Sequence, residues 1–310
     1  MFALVLLGVV AVVVFVLVGF RSSPKADPVQ LSHLDLRSLS NAAAEISADQ
    51  NEYPIIWAAC FLKGDPQLDI ASVHTFIEKK WSPKGTTRYT VVEGSHPLQR
   101  RLDSEITQLT FEPMTMPGDE PLPNRVGGVT PPRMPEGEHF CVVVTAVSEM
   151  GGAGASLHLS QAVLALIDTC PQVDSIYWEG SNQLFSRNEL LHRMKLDFEK
   201  QWPVSVWVAS HAEVNDNGTT TGYTVGLSTM GGTEFEAIES PERPQALTDR
   251  FDSLATYVVF HFAQILNEDT TGIDELEKIK LKKRPSETVH KGWVFQLVYL
   301  TASSDSSWSR

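Results

Sequence analysis

Val204-Ser205-Val206-Trp207-Val208-Ala209-Ser210-His211 and Thr219-Thr220-Thr221-Gly222-Tyr223-Thr224-Val225-Gly226-Leu227-Ser228, separated by Asn215-Asp216-Asn217-Gly218, decide the fold class of this 310-residue chain. Both flanks are rich in β-branched and aromatic residues, the composition of strands. Asn and Gly between them tolerate positive φ, so the two runs read as a hairpin. Glu234 to Ile238 continues the sheet. A long helix is expected over Gln245 to Asn267, with Leu247, Phe251, Leu254, Val258 and Phe262 on one side. Hairpin, helix and strand are mixed rather than alternating as β-α-β units. The class is therefore α+β, with mixed, largely antiparallel sheets and packed helices, not a doubly wound sheet.

Upstream, His139 to Val147 reads as a strand that leads through Met150-Gly151-Gly152-Ala153-Gly154-Ala155 into a helix over Ser156 to Thr169. Asp174 to Trp178 follows as a strand and Arg187 to Lys200 as an amphipathic helix, while Gly292 to Leu300 closes the chain as a strand. Tyr53 to Leu62 is continuously apolar, the signature of a strand buried on both faces. Asp69 to Trp81 carries helical spacing, Thr86 to Val92 alternates as a strand, and Leu98 to Leu109 reads as a short helix. From Glu112 to Glu138 prolines and glycines crowd together, a composition that removes backbone donors and raises the ordering cost. The expected organisation is 1–20 anchor, 21–52 stalk, 53–111 N-terminal α/β portion, 112–138 linker or long loop, 139–300 C-terminal α+β domain and 301–310 polar tail.

Met1 to Phe20 is almost wholly apolar and uncharged, and as a helix it is roughly 30 Å long, enough to cross the hydrocarbon core of a bilayer. No basic residue precedes it and no small-residue cleavage pattern ends it, so it reads as one retained transmembrane helix rather than a signal peptide. Arg21 and Lys25 follow it. An excess of basic residues marks the cytoplasmic side, which puts the globular part in the cytosol.

The formal net charge of -13 disfavours nucleic acid as a partner, since a phosphate backbone is bound through clustered Lys and Arg. One basic cluster, Lys278, Lys280, Lys282, Lys283 and Arg284, offers contact with an anionic membrane surface, although Asp274, Glu275 and Glu277 lie beside it. The cysteines Cys60, Cys141 and Cys170 are odd in number and have no metal-ligand spacing.

Ile176-Tyr177-Trp178 with Gly180, Leu184-Phe185-Ser186, Pro203-Val204-Ser205-Val206-Trp207-Val208, Tyr223-Thr224-Val225-Gly226-Leu227, Gly231, Glu234, Glu236 and Leu254-Ala255-Thr256-Tyr257-Val258 together resemble the bacterial domain of unknown function 4261. The likeness runs from Asp174 to Asn267. It implies a compact α+β domain and brings no established chemistry with it.

Two features offer ligand contacts. The turn Trp178, Glu179, Ser181 and Asn182 ends a strand in polar groups and glycine, where a concave site can meet a ligand. Gly151, Gly152 and Gly154 open a helix, where backbone amides collect around anions, but they lack the Lys-Ser/Thr of a P-loop. His139 and Cys141 share a strand face, yet two ligands do not make a metal site. No Gly-x-Ser-x-Gly, no catalytic cysteine context and no cofactor motif is present, so no catalytic residue, metal or cofactor is assigned. The expected function is a membrane-tethered, non-catalytic binding or adaptor domain with a protein partner. The alternatives are an enzyme using the 178–182 turn with the 151–154 glycine turn, and a lipid-surface sensor using Lys280, Lys282, Lys283 and Arg284.

Overall fold

The computed structural model describes residues 54–64, 68–81, 89–93, 100–104, 107–116, 122, 132, 139–198, 202–272 and 279–299. The expected anchor, stalk and polar tail lie outside the described residues, as does Lys278. Among the described residues no helix is long and apolar enough to cross a membrane. The chain divides into two compact units, the first drawn from residues 1–125, 131–179 and 183–192, the second from 126–130, 180–182 and 193–310.

The first unit is built on one antiparallel sheet in the order β2-β3-β4-β5-β1-β6-β7. Its elements are β1 (Ile55–Leu62), α1 (Ile70–Trp81), β2 (Thr90–Glu93), β3 (Arg100–Asp103), β4 (Thr107–Met116), β5 (His139–Ser148), α2 (Gly151–Thr169), β6 (Val173–Trp178) and β7 (Gln183–Ser186). β1 lies between β5 and β6, which is why its apolar run is buried from Ile56 to Leu62. The residues Trp57, Ala59, Phe61, Cys141, Val143 and Tyr177 pack together with Leu122. α2 packs on β5 and β1, with α1 beside it.

The described residues of the stretch Leu98 to Leu109, expected as a helix, are strand instead: they contribute to β3 and β4. Leu102, Leu109 and Phe111 are fully buried, and Leu102 pairs with Leu109 across the two strands, so long-range pairing decided what a short window left ambiguous. Residues 112–116, expected in the linker, extend β4. Pro113 lies within β4 opposite Val142 of β5, and among the described residues β3 pairs with β4 only as far as Phe111, which leaves this part of β4 with an unpaired side where a proline fits. The strands before and after the Pro/Gly-rich stretch thus share one sheet.

After α3 (Arg187–Phe198), the second unit comprises α4 (Val204–Trp207), β8 (Ala209–Val214), β9 (Thr220–Val225), a 3-10 turn (Leu227–Met230), β10 (Phe235–Ser240), α5 (Pro244–His261), β11 (Asp269–Thr271), β12 (Ile279–Pro285) and β13 (Trp293–Tyr299). The sheet order is β11-β12-β13-β10-β9-β8, antiparallel except for β10 beside β13. The hairpin expected across Asn215 to Gly218 is present, with Gly218 at φ +81. Its first arm is shorter than its β-branched composition suggests. Val204 to Trp207 form a helical turn behind Pro203, closed by the Val208 N–H donating to the Val204 carbonyl at 2.8 Å. Gly226 locks this turn in place. Its φ of +124 suits glycine, and a Cβ there would stand 2.1 Å from the Trp207 carbonyl oxygen. Trp207 itself is 1% exposed, a core residue as its apolar flanks imply.

α5 buries Leu247, Phe251, Leu254 and Val259 and packs on β8 and β9. It comes close to β9 because Gly222 has no side chain: a Cβ there would meet Leu247 Cδ2 and Phe251 Cε2 at 2.9 Å each. The helix ends at His261 rather than Asn267. Phe262, expected on its buried side, is instead the left-handed C-cap at φ 49 and is 67% exposed.

Candidate functional site: a cleft beside the long helix

The chain leaving α5 turns back and returns as β11, and a cleft of about 840 Å³ opens between helix and strand. Ala246, Leu254, Ile265 and Leu281 supply its apolar lining. Tyr257 stands over it, half exposed. The remaining walls carry charge, with Glu242, Asp249 and Asp269 against Arg250, the single cation among the described lining residues.

Arg250 does not belong to any incoming group. Its Nε donates to both Glu242 oxygens at 3.0 Å and its Nη2 donates to Oε1, a fork-on-fork pair with the arginine side chain almost wholly buried. Tyr299 donates its hydroxyl to Glu242 Oε2 at 2.6 Å. Burial works to raise the Glu242 carboxyl, but the bonds from Arg250 and Tyr299 and the arginine charge outweigh it, and its pKa lies below the ordinary value. Burial and the bond to Glu242 push the Tyr299 phenol up. Thr220 Oγ1 donates to the Glu242 backbone carbonyl at 2.6 Å, so the triad also fixes the turn that starts α5.

Asp249 and Asp269 differ. Asp249 Oδ1 accepts from Gln245 Nε2 and Asp269 Oδ2 accepts from the Leu266 N–H, and among the described residues neither is matched by a cation. Two negative charges therefore rim the cleft.

An aromatic group stands at the far end of α5. Trp202 meets Phe260 and Phe262 edge-on, with ring centroids 6.0 and 5.8 Å apart, and leans on buried Trp207 at 5.9 Å. Phe260, Phe262 and Tyr257 remain exposed. Aromatic side chains with this much open surface are a feature of association sites rather than of a solvated helix face.

Other polar groups of this unit serve its architecture. Glu234, nearly fully buried, accepts from Thr224 Oγ1 at 2.7 Å and from the N–H groups of Gly226 and Ser228 at 3.0 and 2.9 Å. Glu236, wholly buried, accepts from Ser286 Oγ and from the N–H groups of Glu287 and Thr288. His211 and His290 flank the ring of Tyr223, with centroids 5.1 and 6.0 Å away, and burial lowers the His211 pKa.

The residues singled out from sequence lie elsewhere. Trp178, Glu179, Ser181 and Asn182 do not form an exposed turn: all four are buried, Ser181 donates to the Val206 carbonyl at 2.8 Å, and Asn182 adopts φ 53. Gly151, Gly152 and Gly154 lie inside α2 instead of ahead of it. Gly152 and Gly154 are buried, and a Cβ on Gly154 would stand 2.4 Å from Met150 Cβ, so this glycine admits a close packing. None of these seven residues lines the cleft. Lys280, Lys282, Lys283 and Arg284 form part of β12 rather than a loose patch. Lys280 and Lys282 reach Glu268 at 3.4 and 3.9 Å, and Arg284 donates to Gln296 Oε1 at 2.8 Å. The three cysteines are free and buried, with the thiols of Cys60 and Cys141 pushed up by burial, away from the reactive thiolate.

The cleft residues escaped sequence reading because the stripe of α5 drew attention to its buried side. The available signal was Tyr257 and Phe260, which fall off the Leu247, Phe251, Leu254 stripe and have no place in the core.

These features define an α+β protein of two units, the second a six-stranded sheet carrying a helix-and-strand cleft. Residues 223–297 of the chain match the family described as Domain of unknown function (DUF4261). The matched residues hold the cleft and the glutamates Glu234 and Glu236, whereas Ile176 to Trp178 and Pro203 to Val208 precede them. No curated protein and no solved structure matches the chain.

Proposed function

We propose that the chain is a membrane-tethered binding or adaptor protein, non-catalytic, which docks a protein partner at the cleft and aromatic group of α5. The observation that carries this reading is the placement of exposed Tyr257, Phe260 and Phe262 beside a cleft of mixed apolar and polar lining, rimmed by carboxylates that no cation matches among the described residues. Rigid aromatic side chains bury large areas at little entropic cost, and a charged rim steers association. Glu234, Glu236 and Glu242 are engaged by donors of the fold itself, which leaves them to hold loops and turns. The acidic balance of the chain favours a basic partner. The tether is Met1 to Phe20, with the body on the cytosolic side of Arg21 and Lys25.

The test is photo-crosslinking in cells with the full chain, the reactive group placed at Tyr257 or, as a control, at Thr221 on a strand outside the cleft. A discrete adduct from Tyr257 that is absent from Thr221 is the expected result. Equal labelling from both positions, or none from either, overturns the docking site.

A further inference from the structure

The cleft has the geometry of a strand-addition groove, and the chemistry of its walls selects the strand. β11 is an edge: β12 pairs with one side of it, and among the described residues no strand pairs with the other. Asp269, Thr270, Thr271 and Gly272 all line the cleft. Side chains of a strand alternate between faces, so the three residues of β11 in a row on one cavity, with Leu281 of β12 opposite Asp269 also lining it, mean that the cavity meets both the backbone and one face of this edge strand. The opposite wall is α5, whose lining residues Ala246, Asp249, Arg250, Ser253, Leu254 and Tyr257 recur at helical spacing along one face. From Ala246 to Tyr257 that wall is about 16 Å long, the length of about five extended residues. A groove between a sheet edge and a helix is the setting in which extended peptides join a sheet through main-chain bonds while alternate side chains fill pockets.

We propose that this groove takes an extended segment of a protein partner as an added strand on β11, with Lys or Arg side chains meeting Asp249 and Asp269 and an apolar side chain seated on Leu254, Ile265 and Leu281. This rests on the binding role proposed above and names its ligand chemistry. Charge argues the choice of occupant. Arg250 is taken by Glu242, so the field inside the groove is that of two carboxylates on a chain already carrying -13. The chain's own segment next to β11, Ile273-Asp274-Glu275-Leu276-Glu277-Lys278, has three acids and one base, a composition of the wrong sign for this rim. A second copy adding its own β11 would bring a further Asp269 to the same acidic rim.

The proposal is tested by selecting a displayed library of random seven-residue peptides on the full chain in detergent micelles. Peptides with alternating basic and apolar residues should be enriched. Their affinity should fall at least tenfold for Asp249→Lys, for Thr270→Pro, which takes an N–H from β11, and for peptides N-methylated at alternate positions. Thermal melts confirm that the variants fold. Should Thr270→Pro fail that check, Asp249→Lys and the methylated peptides carry the test alone. Enrichment of acidic peptides, of peptides with helical i, i+4 anchors, or undiminished binding by Asp249→Lys overturns strand addition, as does a concentration-dependent dimer lost in Thr270→Pro. If Tyr257 still yields its discrete adduct while these arms fail, the docking reading stands and only the strand-addition chemistry falls.

Discussion

A buried histidine gives the first unit a built-in acid limit. His158 lies in α2, 7% exposed, with its Nδ1 2.6 Å from the hydroxyl of Tyr89. Burial lowers the imidazole pKa to about 4 and raises the phenol, so at neutral pH the ring is uncharged and shares one hydrogen bond with the tyrosine hydroxyl. The unfolded chain takes up this proton near pH 6.5 and the folded chain only near 4, so stability is full above 6.5 and falls as pH drops through that window. The loss amounts to about 3 kcal/mol. Denaturant midpoints at pH 7.5 and 4.5 should show this fall, and His158→Gln should flatten it; an equal slope in the variant assigns the acid sensitivity elsewhere. At this scale the sequence was partly legible. Thr224, Val225 and Trp207 read as core from their apolar and β-branched surroundings and are buried. Glu236 stood out without a role, because the groups it binds lie as far off as Ser286 and Thr288 and only the folded sheet brings them near, while Glu234 binds Thr224, Gly226 and Ser228 across the turn after β9.

Element by element, the sequence declared strands buried on both faces and long amphipathic helices, since β1 and α1 carry their own pattern. It misled where the deciding contact is distant. β3 and β4 are strands because they pair with each other and β5, and α4 is a helical turn although Val204, Val206 and Trp207 favour strands. The end of α5 was misjudged because Phe262 fits the helical spacing yet caps the helix in a left-handed conformation, which costs a non-glycine residue roughly 1–2 kcal/mol. Its edge contact with Trp202 returns about 0.5–1.5 kcal/mol. Phe262→Gly removes both, so the melting temperature should change little while the adduct captured from Tyr257 is reduced severalfold. A large loss of stability with full capture would mark Phe262 as a packing residue instead.

For the whole molecule, the α+β class followed from the hairpin and the mixed order of elements, but the partition into units did not. The Pro/Gly-rich stretch looked like a boundary by composition, while β4 and β5 on either side of it pair along their length, from Thr107 opposite Ser148 to Met116 opposite His139. Long-range pairing of this kind leaves no local trace. The candidate cleft was illegible for the same reason, being shaped by a helix and a strand whose facing is set by the turn after His261. The proposed tether belongs to this scale. The protein should sediment with membranes, resist high salt and carbonate, and keep its first twenty residues, and protease outside intact cells should leave a C-terminal tag untouched; a soluble chain beginning near Arg21 would refute the anchor.

The grip of Glu236 on Ser286, Glu287 and Thr288 reaches beyond geometry. These residues sit in the connection between β12 and β13, where backbone amides ordinarily trade their hydrogens with solvent within moments. Two of the amides are instead held by a carboxylate at the centre of the sheet, on the strand that runs parallel to β13. Their release requires that the Glu236 carboxylate let go of the loop, so their protection should rise and fall with the stability of β10 beside β13. The loop thus keeps time with the core, and deuterium arriving at Glu287 and Thr288 reports on that pairing.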